Sequence, residues 1–62
     1  MVYYSLGQYE KALTYHLQAL EIRREIADKR GEGIDLGNIG VVYQNLSQYE
    51  KALTYYQQAL II

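Results

Sequence analysis

Apolar and polar positions along this chain divide it into helical stretches separated by short polar breaks. From Gln8 to about Arg30, the positions Tyr9, Ala12, Leu13, His16, Ala19, Leu20 and Ala27 recur at three- and four-residue steps and form one stripe of an α-helix. Tyr15, Ile22 and Ile26 widen that stripe on one side, so the helix is expected to touch two neighbours. Glu10, Thr14, Gln18, Glu21, Glu25 and Asp28 fall on the far, solvated side. There Glu25/Lys29 and Arg24/Asp28 stand four apart with opposite charge, each pair worth about 0.2–0.5 kcal/mol.

Gly31-Glu32-Gly33 is expected to stop this helix, because glycine is favoured just past a helix end and costly inside one. A second helix then spans roughly 32–46, with Asp35 in its first turn. Leu36, Ile39, Gly40, Tyr43 and Leu46 share its core side, and Ile34, Gly37, Asn38, Val41, Gln44 and Asn45 share the other. A glycine at 37 or 40 must permit a close helix–helix approach, since each costs roughly 1 kcal/mol relative to alanine. Ser47-Gln48-Tyr49-Glu50 has the form of a capping box opening a third helix over 48–62, whose stripe is Tyr49, Ala52, Leu53, Tyr56, Ala59 and Leu60. At the start of the chain, residues 2–6 are expected to be the end of a helix, and Gly7 a turn and N-cap.

The third stripe is a copy of the first. Gly7 to Leu20 and Ser47 to Leu60 carry nearly the same residues at a constant offset of 40 positions (47 against 7, 60 against 20). A fixed period of about 20–50 residues marks a repeat array, in which each unit buries its apolar face by stacking on the next. The expected architecture is all-α: a single segment, 1–62, of about one and a half antiparallel helix-turn-helix units. Residues 1–30 close one unit and 31–62 form most of the next, as a window of a longer array.

Composition narrows the chemistry. The 62 residues carry a net charge of −1, with Lys+Arg 6 and Asp+Glu 7 interspersed, so no basic patch invites a phosphate backbone or an anionic lipid. No run of residues has the length and apolarity of a membrane span or the layout of a secretion signal, and a soluble, cytoplasmic chain is the expectation. With Cys 0 and His 1 there is no disulfide framework and no set of metal ligands, and no cofactor is expected. Eight tyrosines could stack nucleic-acid bases, but most recur at core positions in a slightly acidic chain, and nucleic acid is not an expected partner.

The order of small and large residues resembles the tetratricopeptide repeat (TPR): Gly40, Tyr43, Tyr49, Ala52, Tyr56 and Ala59-Leu60, with Tyr3, Tyr9, Ala12, His16 and Ala19-Leu20 in the first copy. The long, 40-residue period looks like that of kinesin light chains, LGN-type spindle adaptors and bacterial multi-repeat proteins. The resemblance implies a superhelix whose first helices line a concave groove for a peptide or protein. The groove positions match Ile34, Gly37, Asn38, Val41, Gln44 and Asn45, with the Asn38 amide as a clamp on an extended peptide backbone.

The expected function is therefore a non-enzymatic protein–protein interaction scaffold, with no catalytic residue. His16 is expected as a partly buried structural histidine, Arg23 with its stem along the core and its head in water, and Ser5 and Ser47 lack the partners of a nucleophile. The alternative is a self-associating helical module. In that reading Tyr3, Leu6, Tyr55, Leu60, Ile61 and Ile62 are uncovered repeat faces that find cover in a homo-oligomer or by exchange of helices about Gly31-Gly33.

Overall fold

The computed structural model of the chain describes residues 6–62. It holds three α-helices in series: α1 (Leu6–Glu25), α2 (Lys29–Asn45) and α3 (Tyr49–Leu60), with no strand among the described residues. The expected helix over 2–6 and the position of Tyr3 lie outside these residues. The central helix α2 packs against both α1 and α3, which do not touch each other among the described residues. Among the described residues α1 therefore meets one neighbour, α2.

The first break falls earlier than expected. α1 ends at Glu25, and Gly31 and Gly33 lie inside α2. The reason is the side chain of Asp28, which caps α2 by accepting the backbone N–H of Gly31 at 2.9 Å. Gly31 is needed there for space: a Cβ would stand 2.5 Å from Asp28 Oδ2 and 2.6 Å from Arg23 Cδ. Gly7 also lies within α1, not in a turn.

Both turns are built alike, and neither uses glycine. Ala27 (φ 57°) and Ser47 (φ 60°) occupy the left-handed region. Ala27 N–H donates to the Arg24 carbonyl at 3.2 Å and Asp28 N–H to that of Arg23 at 2.8 Å. The second turn repeats this, with Ser47 N–H on the Gln44 carbonyl at 3.0 Å and Gln48 N–H on that of Tyr43 at 2.8 Å. This pair of bonds is the Schellman closure, which satisfies the free carbonyls at a helix end. It also undoes the expected capping box: Ser47 closes α2 instead of opening α3, whose N-cap is Gln48 with no side-chain cap bond.

The core sits on the inner side of α2. Leu36 and Ile39 are fully buried with Leu20 of α1, and Leu13, Tyr43, Tyr55 and Ala59 pack around them. Val42 and Ala52 are buried as well. The close approach expected of one glycine occurs at Gly40, where a Cβ would stand 2.7 Å from the Tyr56 ring, whereas Gly37 meets nothing within 4 Å. Several residues of the expected stripes are instead exposed: Tyr15, Ile22, Ile26 and Ala27 on the α1 side, and Tyr49, Leu53 and Leu60 on α3.

The α1–α2 joint carries the ion pairs. The turn at Ile26–Asp28 interrupts the expected Glu25/Lys29 and Arg24/Asp28 pairs. Arg23 instead reaches Asp28 at 3.0 Å and Asp35 at 3.4 Å, while Arg24 reaches Glu32 at 3.1 Å. Lys29 stands 3.9 Å from Glu32. Asp35 and Glu32 are buried, and no buried side-chain polar atom among the described residues lacks a partner. The α2–α3 joint is aromatic. Tyr43 and Tyr55 stack with centroids 5.5 Å apart, Lys51 Nζ lies 5.4 Å from the Tyr43 ring centroid, and Tyr56 donates its hydroxyl to Gln44 Oε1 at 2.9 Å.

Candidate functional site

With Leu36 and Ile39 committed to the core, the opposite side of α2 is left exposed. Ile34, Asn38, Val41 and Asn45 follow one another at steps of four, three and four, so they form a single row along the helix, and all four are exposed. Gly37 lies beside the row, half-buried, with open space where a Cβ would be. Gln44 flanks it, exposed, with its amide oxygen already engaged by Tyr56. The Asn38 side chain has no hydrogen-bond partner among the described residues.

Chemically the row alternates branched aliphatic and carboxamide groups and contains no charge. An amide presents a donor pair and an acceptor together, the complement of a peptide unit, and the aliphatic groups on either side supply non-directional contact. Surface depressions occur elsewhere, one lined by Leu17, Leu20, Glu21, Arg24 and Glu25 and another by Ser47 to Lys51. His16 is half-buried on α1, and no group of three potential metal ligands occurs among the described residues. No helix of the described residues is long and apolar enough to cross a membrane.

The second set of sequence-selected residues divides. Tyr3, and the side chain of Leu6, lie outside the described residues. Tyr55 is half-buried and stacked on Tyr43. Ile62 lies near Gly33 of α2, its Cγ2 being 3.9 Å from where a Cβ would stand. Leu60 and Ile61 are exposed, and Tyr49 and Leu53, assigned by pattern to a covered stripe, are exposed on the same helix as Leu60. The pattern also missed the buried carboxylates of Glu32 and Asp35. The adjacent Arg23 and Arg24 were the available signal, but the partners lie across a turn whose position was misread.

A family model described as Tetratricopeptide repeat matches residues 1–62. The chain belongs to the tetratricopeptide repeat family. No curated protein and no solved structure matches it. Tetratricopeptide repeats mediate protein–protein interaction, and the helical hairpins seen here, with alanine and glycine at the crossings and a tyrosine ring against Gly40, have that family's build. For this tetratricopeptide repeat the surfaces to weigh are the exposed row of α2 and the bare side of α3.

Proposed function

We propose that the chain is a non-catalytic interaction scaffold whose α2 row takes an extended segment of a partner protein. The row Ile34, Asn38, Val41, Asn45 carries this reading, because it joins exposed aliphatic groups to an amide unengaged among the described residues. Asn38 clamps a peptide unit, Ile34 and Val41 contact side chains on either side, and Gly37 lets the partner's backbone approach closely. Gln44 and Asn45 extend the polar contact toward the end of the helix. Neither cofactor, nucleic acid nor membrane enters this reading.

The test is a peptide selected from a random library against the whole 62-residue chain, titrated into isotope-labelled protein. Amide shifts are expected at Ile34, Asn38, Val41 and Asn45, and Asn38→Ala should weaken the complex by about ten-fold, the value of one or two hydrogen bonds. Unchanged affinity in Asn38→Ala, or shifts confined to α3, would sink the assignment.

A second reading, self-association, is favoured by a separate observation. Tyr49, Leu53 and Leu60 leave a row of large apolar groups exposed on one short helix, with exposed Ile61 just past its end.

A further inference from the structure

The turn between α2 and α3 is held in a conformation its residue does not favour. Ser47 sits at φ 60°, where the Cβ of an L-residue crowds its own backbone and the right-handed alternative is preferred by roughly ten-fold. The chain itself shows that alternative. Leu6-Gly7-Gln8, the copy of Leu46-Ser47-Gln48, is helical, and it leads into the same Tyr-Glu-Lys-Ala-Leu-Thr-Tyr sequence. From Val41 to Leu60 there is no glycine and no proline to prevent a continuous helix. Gln48, at the start of α3, contributes no side-chain cap that would be lost on straightening.

The two joints also differ in how they are held. Among the described residues, Arg23–Asp35 and Arg24–Glu32 tie α1 to α2 and Arg23–Asp28 ties α1 to the turn, whereas no ion pair crosses from α2 to α3. Among them, too, Ala52 is the one buried residue of α3, as Leu20 is of α1. Straightening the first turn would give up the Asp28 cap and the Arg23–Asp28 pair, whereas straightening the second gives up neither a side-chain cap nor an ion pair, so exchange falls at α3.

From these observations we infer that two copies of the chain exchange α3: the turn at Leu46–Gln48 straightens and α3 of each copy packs on α2 of the other. The inference rests on the self-association reading and specifies its geometry. Straightened, Lys29 to Leu60 is one helix about 48 Å long. Two such helices lying antiparallel set each α3 beside the other chain's α2. No new interface is required, because the Tyr43–Tyr55 stack, the Tyr56–Gln44 hydrogen bond and the fit of Tyr56 over Gly40 re-form between chains. Straightening relieves two left-handed residues per dimer, while association costs translational freedom, so the exchanged form is populated at high protein concentration. The exchange point is Ser47, not Gly31-Gly33, which lies inside α2.

The experiment combines sedimentation equilibrium over a wide concentration range with isotope-filtered nuclear Overhauser spectra, using an equal mixture of labelled and unlabelled wild-type chains refolded together. The expected result is a dimer with contacts between Tyr43 of one chain and Tyr55 of the other. Ser47→Gly should raise the dimer dissociation constant about ten-fold or more, because glycine accepts the turn without strain. Ala27→Gly, at the other turn, should leave that constant unchanged. A dimer whose Tyr43–Tyr55 contacts stay within one chain, joined instead through Leu53 and Leu60, overturns the exchange and keeps the self-association reading. A monomer at every concentration overturns both.

Discussion

α1 and α3 are two printings of one stretch of sequence, and they share a covered middle (Ala12/Ala52, His16/Tyr56, Ala19/Ala59) but bury different flanks of it. Their outer faces behave alike: Thr14 donates to the Glu10 carbonyl at 3.0 Å, and Thr54 to that of Glu50 at 3.1 Å. Their inner faces diverge. Leu20 is 4% exposed under α2, whereas its copy Leu60 is 85% exposed. Leu13 packs against the core, and its copy Leu53 is 57% exposed. The aromatic side is reversed, with Tyr15 70% exposed and its copy Tyr55 stacked on Tyr43. Each copy thus carries a stripe wide enough for two neighbours and, among the described residues, meets one, α2, from a different side. In a repeat, burial belongs to the neighbour as much as to the residue.

The largest contrast to test is within that pair of leucines. Leu20→Ala is expected to cost about 2–5 kcal/mol, enough to unfold much of a small domain, since it removes a core side chain beside Leu36 and Ile39. Leu60→Ala should fall within about 0.5 kcal/mol of wild type in the single chain. Urea titration followed by helical circular dichroism reads both, and equal losses would mean that α3 finds cover for its bare side in solution.

A smaller contrast lies between two glycines of α2. Gly40→Ala drives a methyl into the Tyr56 ring and should cost about 1–3 kcal/mol, loosening the α2–α3 joint while α1–α2 holds. Gly37→Ala meets open space and should stabilise by up to about 1 kcal/mol. If both variants lose stability alike, Gly40 is not the site of close approach. Smallest is Ala27→Gly, which should stabilise by roughly 0.5–1 kcal/mol by relieving a left-handed alanine at the α1–α2 turn. A loss of melting temperature in that variant would show that the turn is unstrained.

Much of the fold could be read from the chain because the repeat supplied it twice. The assignment of α2 was the most complete: Leu36, Ile39 and Gly40 are buried, Tyr43 and Leu46 half-buried, and Ile34, Asn38, Val41, Gln44 and Asn45 exposed. That helix has a neighbour on each inner side, so its periodicity and its surroundings agree. The periodicity of α1 and α3 could not reveal which half of the stripe would be covered, because the two are nearly identical in sequence. The turns were misplaced for another reason. Glycine propensity pointed to Gly31-Gly33, but the Asp28 cap and the room needed by the Arg23 side chain placed those glycines inside a helix and left Ala27 to turn. The burial of Glu32 and Asp35 was not legible because their partners, Arg24 and Arg23, lie beyond that turn.

The stacked rings of Tyr43 and Tyr55 give the molecule an optical signature confined to one joint. The chain contains no tryptophan and no phenylalanine, so its near-ultraviolet spectrum is written by tyrosine alone. Far-ultraviolet ellipticity counts turns of helix wherever they stand. The coupled transitions of two parallel phenols persist only while α2 and α3 remain side by side, and vanish when either ring swings away. Recording both signals through one melt would therefore separate loss of helix from loss of contact without attaching any label.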